Sequence, residues 1–153
     1  YRVDIPCQAD AIVTSCGGFP KDISLYQGTK TIDNVESALK PGGTLVLFIE
    51  APEGGGPAEY FDWSKNLQDG TLEQRLREAF TVAGYIFFLN CEQAQRYRIF
   101  LYSSIDPKDV APMGIHAYSD LDELLKAAQL DGKSTYVIPN GSTVIPRVKG
   151  ANQ

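Results

Sequence analysis

The chain has 153 residues, with 14 basic and 19 acidic side chains, one His, one Met and three Cys. That length suits one domain with a real core, and a net charge of −5 excludes nucleic acid or an anionic membrane as the main partner, since both need clustered Lys and Arg. One His cannot supply a multi-imidazole metal site, and Cys7, Cys16 and Cys91 match no zinc spacing. Sparse, odd-numbered cysteines fit reduced thiols and a cytoplasmic location. Asp4 and Asp10 interrupt any signal-peptide core, and no stretch approaches the roughly 18 apolar residues of a membrane span. The sole Met is Met113, so Tyr1 is not a translation start. The expectation is one domain, residues 1–153, from a longer cytoplasmic protein.

Ala9–Thr14 reads as the first buried strand, ending in Ser15-Cys16-Gly17-Gly18. A helix is expected over about Asp22–Leu39, capped by Asp22 and stopped by Pro41-Gly42-Gly43. Thr44–Glu50 is a nearly unbroken apolar run suited to the middle of a sheet. A glycine-rich loop, Ala51–Pro57, leads to a short helix over Ala58–Asn66 and another over Thr71–Ala83, with Leu72, Leu76, Ala79, Phe80 and Ala83 at helical spacing. Gly84 ends that helix, and Tyr85–Leu89 and Ile99–Tyr102 read as the third and fourth strands. Ser119 caps a late helix to Leu130, with Leu121, Leu124, Leu125 and Ala128 as its buried stripe. Ser134–Ile138 is the last strand, and Pro139-Asn140-Gly141 turns the chain into an extended piece over Ser142–Ile145.

Strands alternating with helices imply a Rossmann-like three-layer α/β domain with a mainly parallel sheet and crossover helices. Ligands of such sheets bind beyond the carboxyl ends of the strands. Here those ends are the loops starting at Ser15, Ala51, Asn90 and Ser103.

In the first helix, Leu25, Ile32, Val35 and Leu39 share one stripe, while Gln27 and Lys30 lie three residues apart on the opposite face. A solvated face accounts for that pair. So does a binding role, because Lys supplies a point charge and Gln a neutral donor and acceptor, which suits a carboxylate carrying a neighbouring hydroxyl. His116 as a base or ligand, and Cys16 as a nucleophile, are weaker readings: one imidazole cannot serve both faces of a carbon, and Cys16 has no base nearby in sequence. Cys7 and Cys91 read as apolar fillers. The amides of Gly54-Gly55-Gly56 could hold an anion, but the loop lacks nucleotide-binding spacing.

The run Gly17-Gly18-Phe19-Pro20-Lys21-Asp22-Ile23-Ser24-Leu25-Tyr26-Gln27-Gly28-Thr29-Lys30 resembles a motif of the nickel-pincer lactate racemase family, GGYPxDxNxYQxxK. Agreement continues through Leu39–Gly43, Glu50, the stretch Glu53–Tyr60 and the closing Val137-Ile138-Pro139-Asn140-Gly141. The resemblance covers almost the whole chain, as the C-terminal half of such a protein. It implies a parent that racemises or epimerises 2-hydroxy acids with a nickel-pincer nucleotide, whose tethering Lys and histidines belong to the N-terminal half. The C-terminal domain would contribute Gln27 and Lys30 to substrate binding, with Gly17, Gly18, Tyr26, Gly54, Gly55 and Gly56 as candidate lining of the interdomain cleft. Neither catalytic residues, a metal site nor a bound cofactor are expected in this chain itself. Its partners would be a small 2-hydroxy acid and the N-terminal domain.

Phe19 replaces the usual Tyr, and Ser24 stands where Asn is common. A Trp of lactate-specific members has no match around Thr71–Glu73, the only Trp being Trp63, so lactate is not assigned over other 2-hydroxy acids. The alternative is a stand-alone Rossmann-like module that binds a nucleotide or a protein.

Overall fold

The computed structural model describes residues 1–150. Its strands are β1 (Arg2–Ile5), β2 (Ala9–Ser15), β3 (Leu39–Phe48), β4 (Arg98–Tyr102), β5 (His116–Tyr118), β6 (Thr135–Ile138) and β7 (Ile145–Val148). Its α-helices are α1 (Leu25–Gly28), α2 (Lys30–Val35), α3 (Ser64–Gln68), α4 (Leu72–Glu78), α5 (Val82–Arg96), α6 (Pro107–Val110) and α7 (Leu121–Ala128). Five strands form one parallel sheet in the order β5-β4-β3-β2-β6, and β1 pairs with β7 in a separate parallel pair. The expected α/β architecture with a mainly parallel sheet holds.

Strand alternation divides the core between the two faces of the sheet. Leu45, Leu47, Ile99 and Leu101 point into the larger cluster, which includes Leu25, Ile32 and Val35 of the first helices and Phe87 and Cys91 of α5. Val46 and Phe100 point the other way, onto Leu124 and Ala128 of α7. Connectivity explains this division. The steps from β2 to β3, β4 and β5 all move in one direction across the sheet, and the step to β6 moves back. Right-handed crossovers then put α7 alone on the second face.

Several elements differ from the sequence reading. The segment Tyr85–Leu89 is no strand but lies inside α5. A five-residue apolar run does not distinguish strand from helix, and Ala83, Phe87, Asn90 and Cys91 bury one helical stripe across it. Thr81 caps α5 by accepting from the Gly84 amide at 3.0 Å, so Gly84 begins this helix rather than ending another. The preceding helix stops at Glu78, leaving Phe80 exposed. The long helix over Asp22–Leu39 is two short helices capped at Ser24, followed by a 3-10 turn at Glu36–Ala38. Its stripe of Leu25, Ile32, Val35 and Leu39 is nonetheless buried. Leu39 already opens β3, and Pro41-Gly42-Gly43 form an irregularity in that strand, where the register against β2 jumps from Ala9–Leu39 to Ala11–Thr44. Asp120 rather than Ser119 caps α7, and Leu121 and Leu125 are exposed. The final extended piece is Ile145–Val148 rather than Ser142–Ile145, and β1 and β5 are additional short strands.

Asp10 clamps the amino ends of three strands. Its carboxylate lies 2.7 Å from the Lys40 ammonium and accepts at 3.0 Å from both the amide and the hydroxyl of Ser134. The Lys40 and Ser134 hydrogen bonds hold its pKa down at about 2. A carboxyl with a lowered folded-state pKa adds stability above its unfolded value, near 4, and loses it as the pH falls toward the folded value. Asp10→Asn is therefore expected to lower Tm at pH 7, and the gap to the parent chain should close between about pH 4 and pH 2 in a series of thermal melts.

A close approach at Gly84 provides a second test. A Cβ there would overlap the Trp63 indole ring. Gly84→Ala is expected to cost about 1–3 kcal/mol through overpacking, read as a fall in Tm of several degrees with unchanged far-ultraviolet circular dichroism.

Candidate functional site

The chain leaves β2 through a turn that the C-terminal segment holds in place. Gly17 has φ +94°, and a Cβ there would meet Asn140 Oδ1 at 2.5 Å, so only glycine fits. The Gly141 amide donates to Ser15 O at 2.9 Å and the Ser142 hydroxyl to Cys16 O at 2.6 Å. Asn34 Nδ2 in turn donates to the carbonyls of Gly141 and Ser142 at 3.1 and 3.0 Å. Strand order reverses between β2 and β6, where a ligand crevice is expected. Asn140 and Gly141 fill that position.

The open cleft lies to the other side, at the carboxyl ends of β2, β3, β4 and β5. It has a volume of about 430 Å³, and Ser15, Gly18, Asp22, Glu50, Ser104 and Ser119 are among its lining. Its described lining includes two carboxylates and neither Lys nor Arg. The strand-end loops at Ser15 and Ser103 line it as expected, and Glu50, just before Ala51, marks the third. Asn90 is instead buried within α5, and Ser119 supplies the fourth strand end.

Beyond Asp22, the backbone runs beside the glycine-rich loop. The amides of Ala51 and Glu53 donate to the carbonyls of Asp22 and Ile23, and those of Leu25 and Tyr26 donate to Gly54 and Gly55. Ser24 then caps α1, accepting from the Gln27 amide at 3.3 Å. Gly56, with φ +100°, lies so close to Ser24 that a Cβ would meet its Oγ at 2.8 Å. Within the loop, the Gly54 and Gly56 amides donate to Ala51 and Glu53. Those two amides are thus already paired, and the loop is packing for α1 rather than a cradle for a phosphate.

Tyr26, Gln27 and Lys30 come together on the outer side of this support. The Lys30 ammonium donates to Gln27 Oε1 at 3.1 Å and stands 4.4 Å from the centroid of the Tyr26 ring. Gln27 and Lys30 are exposed and Tyr26 is half-buried. The fixed ammonium, the amide and the ring edge can receive a carboxylate and an adjacent hydroxyl. Gly18 lines the cleft with Asp22; Gly17, Tyr26 and the three loop glycines shape its surroundings or the helix start instead.

The remaining candidates have structural places. Cys16 is buried and its thiol donates to Gly28 O and Phe48 O at 3.4 and 3.5 Å, while burial pushes its pKa up. Burial pushes Cys91 up to about 12. Both thiols are neutral near pH 7 and unsuited to nucleophilic attack. Cys7 is exposed, not a buried filler. His116 lies on β5, its ring 5.3 Å from that of Phe100. Among the described residues, no three His, Cys, Asp or Glu side chains converge to hold a metal.

Sequence reasoning missed three buried side chains behind the Tyr26, Gln27 and Lys30 group. Thr29, Asn90 and Tyr60 meet there through hydrogen bonds of 3.0 and 2.8 Å. Residues 60 and 90 are remote from the motif in sequence, and reading Tyr85–Leu89 as a strand placed Asn90 at a surface loop. Glu50 and Asp22 were visible in sequence, but nothing there showed that they share a cleft.

A family model described as lactate racemase C-terminal domain matches residues 5–146. A lactate racemase of Thermoanaerobacterium thermosaccharolyticum is 27% identical over 150 residues, covering 92% of this chain and 35% of that protein. A lactate racemase of Lactiplantibacillus plantarum is 26% identical over 149 residues, covering 89% of this chain and 34% of that protein. The chain thus spans about a third of the length of these curated relatives. The structure of the T. thermosaccharolyticum lactate racemase apoprotein superposes with a TM-score of 0.79 at 27% identity, over 93% of this chain and 36% of that one. A crystal structure of a Thermotoga maritima protein gives a TM-score of 0.65 at 14% identity, over 97% of this chain and 39% of that one, a likeness of fold alone.

Proposed function

The chain belongs to the lactate racemase C-terminal domain family, and from that premise we propose that it is the substrate-binding domain of a 2-hydroxy acid racemase or epimerase. The carrying observation is the contact of Lys30 with Gln27 and Tyr26, all within the motif that prompted the resemblance. Lys30 would pair with the substrate carboxylate. Gln27, its Oε1 already accepting from Lys30, would turn its amide nitrogen to the 2-hydroxyl or to a carboxylate oxygen. Each interaction holds the substrate in ground and transition state alike, so together they fix its position rather than move a proton.

On this reading the site is shared with an N-terminal domain of the same parent protein, which faces the strand ends and brings the groups that act on the substrate carbon. The nickel-pincer nucleotide implied by the family resemblance would be held by that other part, where the resemblance places the tethering Lys and the histidines. Among those residues no helix is long and apolar enough to cross a membrane. The free cysteines support a cytoplasmic parent.

The test uses the full-length parent and a panel of lactate, malate and gluconate, with racemisation or epimerisation followed by chiral chromatography. Lys30→Ala is expected to raise KM roughly 10- to 100-fold, the scale of a lost charge-assisted hydrogen bond, with kcat little changed. An unchanged KM for every acid that the parent turns over would remove Lys30 from the site.

A further inference from the structure

We propose that Thr29, Asn90 and Tyr60 are positioning residues that set the substrate-binding geometry of Gln27 and Lys30. The inference rests on the reading of those two residues as substrate contacts. Helix α1 has four residues and α2 six, and isolated helices that short are not stable in water. The hydrogen bond between Gln27 and Lys30 crosses the joint between the two, at Thr29. Whatever fixes that joint fixes the relative position of the amide and the ammonium.

Thr29 is buried at 2% exposure, with φ −68° and ψ −16°. Its hydroxyl donates back to Leu25 O at 2.7 Å, beside the Thr29 amide, which donates to the same carbonyl at 2.9 Å. The same oxygen accepts from Asn90 Nδ2 at 3.0 Å. Asn90 Nδ2 also donates to Tyr60 Oη at 2.8 Å, so one amide group ties the joint to two other parts of the fold. Asn90 stands on α5, the longest helix, and Tyr60 stands immediately before the 3-10 turn Phe61–Trp63. Tyr60 is fully buried, with its ring edge-on to Phe61 and Phe87 at 5.1 and 5.4 Å. One residue before Thr29, Gly28 packs so tightly on Ile49 that a Cβ would meet its side chain at 2.8 Å. The joint is thus pressed against Ile49, just beyond the end of β3, on one side and hydrogen-bonded to α5 on the other.

A buried polar chain of this kind has few alternative arrangements, because each unmade bond leaves a desolvated group behind. It therefore specifies one geometry where an apolar contact would allow several. Removing the Thr29 hydroxyl leaves Asn90 short of one acceptor and unties the joint from α5, which frees Lys30 to move relative to Gln27.

The variants Thr29→Val, of nearly the same shape, and Thr29→Ser, which keeps the hydroxyl, are made in the full-length parent. Tyr60→Phe, which keeps the packed ring, supplies a second probe if Thr29→Val does not fold. Thr29→Val or Tyr60→Phe is expected to raise KM roughly three- to tenfold with kcat unchanged, and Thr29→Ser to restore the parent KM. In a Lys30→Ala background the same changes should raise KM by a smaller factor, because only Gln27 remains to be misplaced. A lowered Tm with unchanged KM would reduce these residues to a structural role and overturn the inference. An equal KM increase with and without Lys30 would overturn it while leaving Lys30 at the site. If Lys30→Ala itself leaves KM unchanged, both readings fall.

Discussion

A four-residue helix has no interior: almost all its backbone amides and carbonyls lie at one end or the other. Helix α1 is such an element, and the motif residues Tyr26 and Gln27 sit on it. Its amides are therefore paired from outside, by Ser24 Oγ and by the carbonyls of Gly54 and Gly55. That requirement explains why the glycine-rich loop must lie flat along residues 22–26, and why Gly56 has no space for a side chain. It also explains why the chain can place a Lys and a Gln outward on so little helix. Rigidity is supplied by the surroundings rather than by helix propensity.

The same requirement separates what the sequence makes legible from what it conceals. The buried faces are readable: Leu25, Ile32, Val35 and Leu39 are all inside, although they span two helices, a 3-10 turn and the start of a strand. Burial depends on apolar side chains, and those are written locally. Element type is less readable where an apolar run is short. Tyr85–Leu89 satisfies a strand pattern over five residues, and the helix emerges only when Asn90, Cys91 and Gln93 are counted on the same buried side. Polar residues on a buried stripe hide a helix from a hydrophobic count. The Thr29, Asn90 and Tyr60 cluster is hidden more deeply, because hydrogen bonds between residues 30 and 61 positions apart leave no periodic trace.

The candidate site is partly readable for a different reason. The Gly17–Lys30 run places two left-handed glycines, a cap and an outward pair within fourteen residues, so its chemistry is local. The cleft is not local. Glu50, Ser104 and Ser119 reach it from three strand ends, and only the order of the parallel sheet brings them beside Asp22. That order also moves the opening away from the β2–β6 junction, which Asn140 and Gly141 occupy. The terminal turn of the motif set therefore acts as a brace for the first one.

The central position of β2 has a consequence for how the chain reaches its fold. One edge of β2 pairs with β3, which follows within a few dozen residues, but the other waits for β6, and the Thr14 hydroxyl meets Ile138 O across a separation of 124 residues. The pair β1–β7 spans a longer interval still, with Arg2 aligned to Ile145. A ribosome delivers the amino-terminal strands first. While it does so, β2 presents an unpaired edge, and the Gly17 turn lacks the Asn140–Gly141 brace. The Gly17 turn therefore gains its brace only after residue 141 has been made, through a long-range contact of the kind that closes slowly.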